Sequence, residues 1–160
     1  MSKAFTREDD SAPPPEPKAA RSVGPRHLTA RGRQRLLARA AVLRAEGAEA
    51  AGKTLTQQVE AAQVVPARAP DDDGPVRFGD VVTLRLEGGI RRFEIVSADE
   101  AELAPDASGD ALLNANAPLA RAVIGAEVGD LVVVDLPDGS ELEAEVLAVA
   151  APESVDPRRR

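Results

Sequence analysis

The sequence predicts an α+β chain: a short antiparallel helical hairpin, then a small antiparallel sheet carrying one short helix. Two observations carry this. Apolar residues recur at spacings of four and three between Thr29 and Ala62, the signature of amphipathic helices. After Gly79 the period becomes two, on both sides of tight turns, as in half-buried strands. Charge divides at the same boundary. Between Arg21 and Lys53 stand eight basic and two acidic residues, net +6; between Asp71 and Ala150 stand five basic and eighteen acidic residues, net −13.

Taken in order, residues 1–24 are rich in Pro, Ala, Ser and mixed charge, with Ala12-Pro13-Pro14-Pro15-Glu16-Pro17 at their centre. Such a stretch buries little and resists helix, so a disordered tail is expected. Thr29 is the expected N-cap of the first helix. Leu36, Ala40 and Leu43 form its apolar seam, and Arg33, Arg35, Arg39 and Arg44 give it a basic outer face. It weakens at Gly47. Thr54, with Gln57 three residues on, reads as a capping box opening a second helix, in which Leu55, Val59 and Ala62 repeat the spacing. The Ala48–Gly52 link would join helices of about 27 and 18 Å.

Pro66 and Pro70 end that unit. Residues 67–76, with Asp71-Asp72-Asp73-Gly74, read as a linker, and the Asp triplet as a solvated loop, since adjacent side chains cannot all face one cation. Val82, Leu84 and Leu86 then alternate with Val81, Thr83, Arg85 and Glu87, Gly88-Gly89 marks a tight hairpin, and Phe93 and Ile95 begin the return strand. A loop is expected from about Ala98 to Asp110. Pro118 opens a short helix to Ile124. Leu131 to Leu136 reads as an apolar strand interrupted only by Asp135. Pro137-Asp138-Gly139-Ser140 makes a turn, and Glu141, Glu143 and Glu145 alternate with Leu142, Ala144 and Val146. The expected organisation is a tail (1–24), a hairpin (25–66), a linker (67–76), a sheet domain (77–150) and a second tail (151–160), where Arg158-Arg159-Arg160 lies.

Composition narrows the function classes. The 160 residues suit one domain or two small ones, and hydrophobic residues at 43% supply a core built from Ala, Val and Leu because aromatics are only 2%. With no Cys there is neither a disulfide framework nor a thiolate zinc site, as expected in a reducing cytoplasm. No apolar run approaches the roughly 20 residues that span a bilayer, and the charged, Pro-rich start does not read as a secretory signal. No metal or cofactor site is expected. The single His27 lacks the positioned partners that acid–base chemistry needs. The basic segment favours polyanions, and the acidic body a basic or apolar protein surface.

Short motifs, taken in order, resemble the bacterial Gre-type transcript elongation factors (the GreA/GreB family). They are Leu28-Thr29-Ala30-Arg31-Gly32 followed by Leu36, Ala62-Gln63-Val64-Val65, Phe78-Gly79, Phe93-Glu94-Ile95-Val96, Asp99-Glu100-Ala101, Pro118–Gly125, Val128-Gly129-Asp130 and Pro137-Asp138-Gly139. The resemblance runs from about Leu28 to Val149 with one large gap. It implies a C-terminal domain similar to the FK506-binding proteins that docks on RNA polymerase, behind a helical arm. In cleavage factors of the family a long coiled coil presents tip carboxylates to the polymerase's catalytic metal. Here the arm is short and lacks that tip motif; Glu46 and Glu49 are the nearest carboxylates. The pattern is closer to short-armed relatives such as the regulator of nucleoside diphosphate kinase, which implies binding without stimulated cleavage.

By the same resemblance Asn116, Pro118 and Leu119 match the docking segment, with Ala117 in place of the family's Ser. Arg33, Arg35, Arg39 and Arg44 are candidates for nucleic-acid phosphates within an elongation complex; the plainer alternative is a solvated helix face. The expected protein is a cytoplasmic monomer, not an enzyme, that binds RNA polymerase and no membrane. The alternatives are a general nucleic-acid binder using the basic arm and a prolyl isomerase. The second is disfavoured because that family lines its pocket with aromatics.

Overall fold

The computed structural model describes residues 26–103 and 109–152. The expected tail at 1–24 and the Arg158-Arg159-Arg160 end lie outside them. Eleven elements follow in order: β1 (His27–Thr29), α1 (Ala30–Ala45), α2 (Glu49–Glu60), β2 (Gln63–Val65), β3 (Val81–Leu86), β4 (Gly89–Val96), α3 (Ala98–Ala101), β5 (Ala111–Asn114), α4 (Pro118–Val123), β6 (Leu131–Asp135) and β7 (Glu141–Ala150). The class is α+β.

Thr29 caps α1 as the sequence implies, its Oγ1 accepting from Gly32 N–H at 2.8 Å. The second helix differs. It begins at Glu49, so Thr54 sits inside it, and its N-cap Ala48 makes no side-chain bond. The reason lies in the turn: Gly47 takes φ +88°, which reverses the chain at once, and Ala48 N–H reaches Leu43 O at 2.8 Å. Gly52 is therefore a helical residue. It is buried where α2 crosses α1, and a Cβ there would lie 2.7 Å from Ala40 O. Leu28, Leu36 and Val59 form the core at the base of the two helices. There β1 and β2 pair in parallel, a contact not foreseen within the expected helical hairpin at 25–66.

The main sheet has the order β5-β4-β3-β7-β6. The Gly88-Gly89 and Pro137–Ser140 turns connect antiparallel pairs as expected, with Leu86 opposite Gly89 and Asp135 opposite Glu141. The sheet is nevertheless mixed, because β5 runs parallel to β4. Its four residues, Ala111–Asn114, are too few to show a period, and they lie just past the expected loop. That loop also holds α3, capped by a reciprocal Ser97–Glu100 box, so the sheet unit carries two helices rather than one. Residues 104–108 of it fall outside the described part. Val76, Val82, Leu84, Ile95, Val123, Ala144 and Val146 make the core between sheet and α4. β6 is not uniformly buried: Val134 faces in, while Leu131 and Val133 are 62% and 53% exposed.

Buried carboxylates tie the helices to the sheet. Glu94 of β4 is fully buried and meets Arg35 at 3.3 Å and Arg31 at 3.5 Å, both from α1. Glu100, also fully buried, accepts from Thr29 Oγ1 at 2.5 Å, Thr29 N–H at 3.3 Å and Ser97 N–H at 2.9 Å. Gly32 makes room for it, since a Cβ there would fall 1.3 Å from Glu100 Oε1. The expected linker is tied down as well. Arg68 is buried, pairs with Asp80 at 2.7 Å, and donates to the carbonyls of Asp72 and Gly74 at 2.7 and 3.0 Å. The hydrogen bonds to Asp80 raise the guanidinium pKa further. Val76 from the same segment is in the core.

These ties set measurable expectations. Gly32→Ala pushes the Glu100 carboxylate off its donors and should cost about 2 kcal/mol in urea unfolding, the range of overpacked sites. Combined with Glu100→Ala the losses should be strongly non-additive. Glu94→Ala takes a buried carboxylate away from Arg31 and Arg35 and should cost about 3 kcal/mol, the scale of breaking a buried pair. Asp72 is held below the usual carboxylate pKa first by the Gly74 N–H, then by Arg77 and Arg68. Its stabilisation is therefore present above the unfolded value of 3.8 and lost as pH falls through the lower folded one. Denaturation midpoints of Asp72→Asn should fall less steeply than wild type on acidification below about pH 4.

Candidate functional site

Two exposed surfaces carry the candidate residues. The first is the turn into α4. Asn114 closes it: its Oδ1 accepts from Asn116 N–H at 2.9 Å and its carbonyl from Ala117 N–H at 2.8 Å. Pro118 follows in the first helical turn, where its missing N–H costs nothing. Ala117 is the N-cap and offers no side-chain bond to the helix. Asn116 and Pro118 stand exposed on either side of the half-buried Ala117. Leu119 differs: it is half-buried and packs on the core, where it anchors α4 beside Ala120 and Val123. The turn is thus a rigid, polar-apolar corner with free side chains at two of the three candidate positions.

The second surface is the arm formed by α1 and α2. Arg33, Arg39 and Arg44 are exposed. Arg44 donates to Thr56 Oγ1 at 2.9 Å and so braces the two helices. Arg35 departs from the expected outer face and turns to Glu94 of the sheet. Arg31, which the sequence reading did not select, does the same. The signal for this was present: Glu94 is the lone charge in Phe93-Glu94-Ile95-Val96, and a carboxylate in an apolar strand needs a cation. Its partners could not be named, because they lie 59 and more residues away.

Glu46 and Glu49 flank the Gly47 turn at the far end of the arm, and both are exposed. Among the described residues no group of three or more His, Cys, Asp or Glu is placed to hold a metal ion. No helix among them is long and apolar enough to cross a membrane. His27 is exposed in β1. The described residues thus present one neutral corner on the sheet unit and a cationic face on α1.

The family model described as transcription elongation factor, GreA/GreB, C-terminal, matches residues 71–151. The chain is 40% identical over 90 residues to transcription elongation factor GreA of Alkalilimnicola ehrlichii, a match covering 55% of this chain and 53% of that protein. It is 35% identical over 75 residues to transcription elongation factor GreB of Pseudomonas syringae, covering 46% and 45%. The chain thus spans about half the length of the curated relatives it matches. The solved GreA factor homolog 1 of Thermus thermophilus aligns with 80% of this chain and all of its own, at 21% identity and a TM-score of 0.38, too loosely to bear on the argument. The matched segment contains the whole sheet unit and the α4 corner, so this chain belongs to the GreA/GreB transcription elongation factor family.

Proposed function

We propose that this chain is an RNA polymerase-binding regulator of transcript elongation that acts at the secondary-channel entrance without stimulating transcript cleavage. Family membership supports the polymerase as partner. The exposed Asn116–Pro118 corner, steadied by Leu119, supports the sheet unit as the docking element. In this reading that unit is the FK506-binding-like domain of the family, and α1 and α2 are a truncated coiled-coil hairpin acting in the cytoplasm as part of a monomer.

The observation that carries the lack of cleavage is the arm's length. The 16 residues of α1 and 12 of α2 extend about 24 and 18 Å, and the tip offers only Glu46 and Glu49. Metal-assisted chemistry needs carboxylates placed at the ion, so an arm that stops short contributes none. Such an arm blocks the channel mouth to longer-armed factors. Arg33, Arg39 and Arg44 are its candidates for phosphate contacts, which would be sequence-independent and salt-sensitive. No aromatic side chain lies on the arm, which removes base stacking.

A purified system tests this. The full chain should be retained by the cognate polymerase at moderate salt, and Pro118→Asp should abolish retention while leaving the fold intact, because Asp is acceptable in a first helical turn. Backtracked complexes should gain no cleavage rate. Cleavage stimulation that Glu46→Ala or Glu49→Ala removes would overturn the mechanism. Retention by free duplex DNA but not by polymerase would favour the general nucleic-acid binder instead.

A further inference from the structure

The sheet has a second surface that the proposed function does not use. Val128, Leu131 and Val133 are 59%, 62% and 53% exposed, among the most exposed large apolar side chains in the described residues. Leu131 and Val133 belong to β6, which ends the strand order, so its outer edge pairs with no other strand among the described residues. They project from the face opposite α4, because Val132 packs on the core that holds Val123 of α4 and Val134, two residues on, is buried. On that outer face β7 sets a row of carboxylates directly beside them: Glu145 opposite Leu131, Glu143 opposite Val133 and Glu141 opposite Asp135. Arg85 binds Glu145 at 2.6 Å and closes one end. Glu141 and Glu143 remain exposed, and with Leu131 they line one open depression.

An exposed apolar edge is a liability that natural sheets blunt with Lys, Pro or a covering element. β6, Leu-Val-Val-Val-Asp, carries neither Lys nor Pro. We propose that the β6 edge accepts an extended segment of a partner protein as an added strand, and that the segment alternates Lys or Arg with small apolar residues. Strand addition pairs the backbone groups left open along the edge. Strands lie about 4.8 Å apart, so the β7 glutamates stand about 10 Å from the added strand. Lys and Arg are the side chains long enough to cross that gap. Their methylene stems cover Leu131 and Val133 while their charged heads reach Glu143 and Glu141. This accounts for both the bare apolar pair and the carboxylate row behind it. A second copy of this chain fits poorly, since edge-to-edge pairing would bring together two units that each carry net −13 between Asp71 and Ala150.

The test uses the full chain and a fluorescent peptide of alternating Val and Lys. Binding should be saturable, weaken with salt, and slow amide hydrogen exchange in Leu131–Asp135. Val133→Lys combined with Glu143→Gln should weaken it about tenfold, a change of about 1.4 kcal/mol. Alternating Val and Glu should not bind, and neither should the Val-Lys peptide with a central Pro. Pro118→Asp should leave peptide binding unchanged, which separates this surface from polymerase docking. The proposal is overturned by absence of binding, by equal binding of the Pro-containing peptide, or by exchange protection on α1 instead of β6. Sedimentation that reports a dimer lost in Val133→Lys would equally overturn it, by assigning the edge to a second copy.

Discussion

The seating of α1 and of the connecting segment on the sheet depends on buried carboxylates that must be matched. Moving an ionised carboxylate out of water costs several kcal/mol even after relaxation, so it persists only where cations and N–H donors converge. Glu94, Glu100 and Asp80 all lie in or beside the sheet, and each is matched from a different part of the chain. Glu94 draws on α1, Glu100 on the cap of α1, and Asp80 on Arg68 of the connecting segment. The arm therefore has one seat on the sheet. A hydrophobic contact alone would let it slide, because such contacts are not directional.

This changes how the charge asymmetry is understood. A net +6 segment ahead of a net −13 segment suggests two external partners. Part of that opposition is instead satisfied internally, with Arg31 and Arg35 spent on Glu94. What remains outside includes Arg33, Arg39, Arg44 and Lys53 on the helices, and Asp135, Glu141 and Glu143 on the sheet.

Small residues make the close approaches possible. The chain is poor in aromatics and packs with Ala, Val and Gly, so backbones come near each other. Gly52 lets α2 press on Ala40 of α1, and Gly32 admits the Glu100 carboxylate against the first turn of α1. The Thr29 hydroxyl then serves twice, accepting from Gly32 and donating to Glu100. The Leu-Thr-x-x-Gly opening thus has a physical reading: a helix cap whose fourth residue after Leu28 must lack a side chain.

Taken alone, the sequence determined what neighbours in the chain decide. The Thr29 cap, the Gly88-Gly89 and Pro137–Ser140 turns, the Pro118 helix start and the inward set of β3 and β7 all follow from capping, turn chemistry and period. So does the α4 corner, because Asn114 to Pro118 bond within a few residues. Tertiary structure decided the rest. β5 and the β1–β2 pair are too short to carry a period and exist because a partner strand waits for them. α2 starts early because Gly47 turns the chain and α1 offers a surface. Arg35 faces inward, and Arg68 is no linker residue, because their carboxylates lie 59 and 12 positions along the chain. Local chemistry selects a conformation from adjacent atoms; which charge meets which is known only once the sheet has folded.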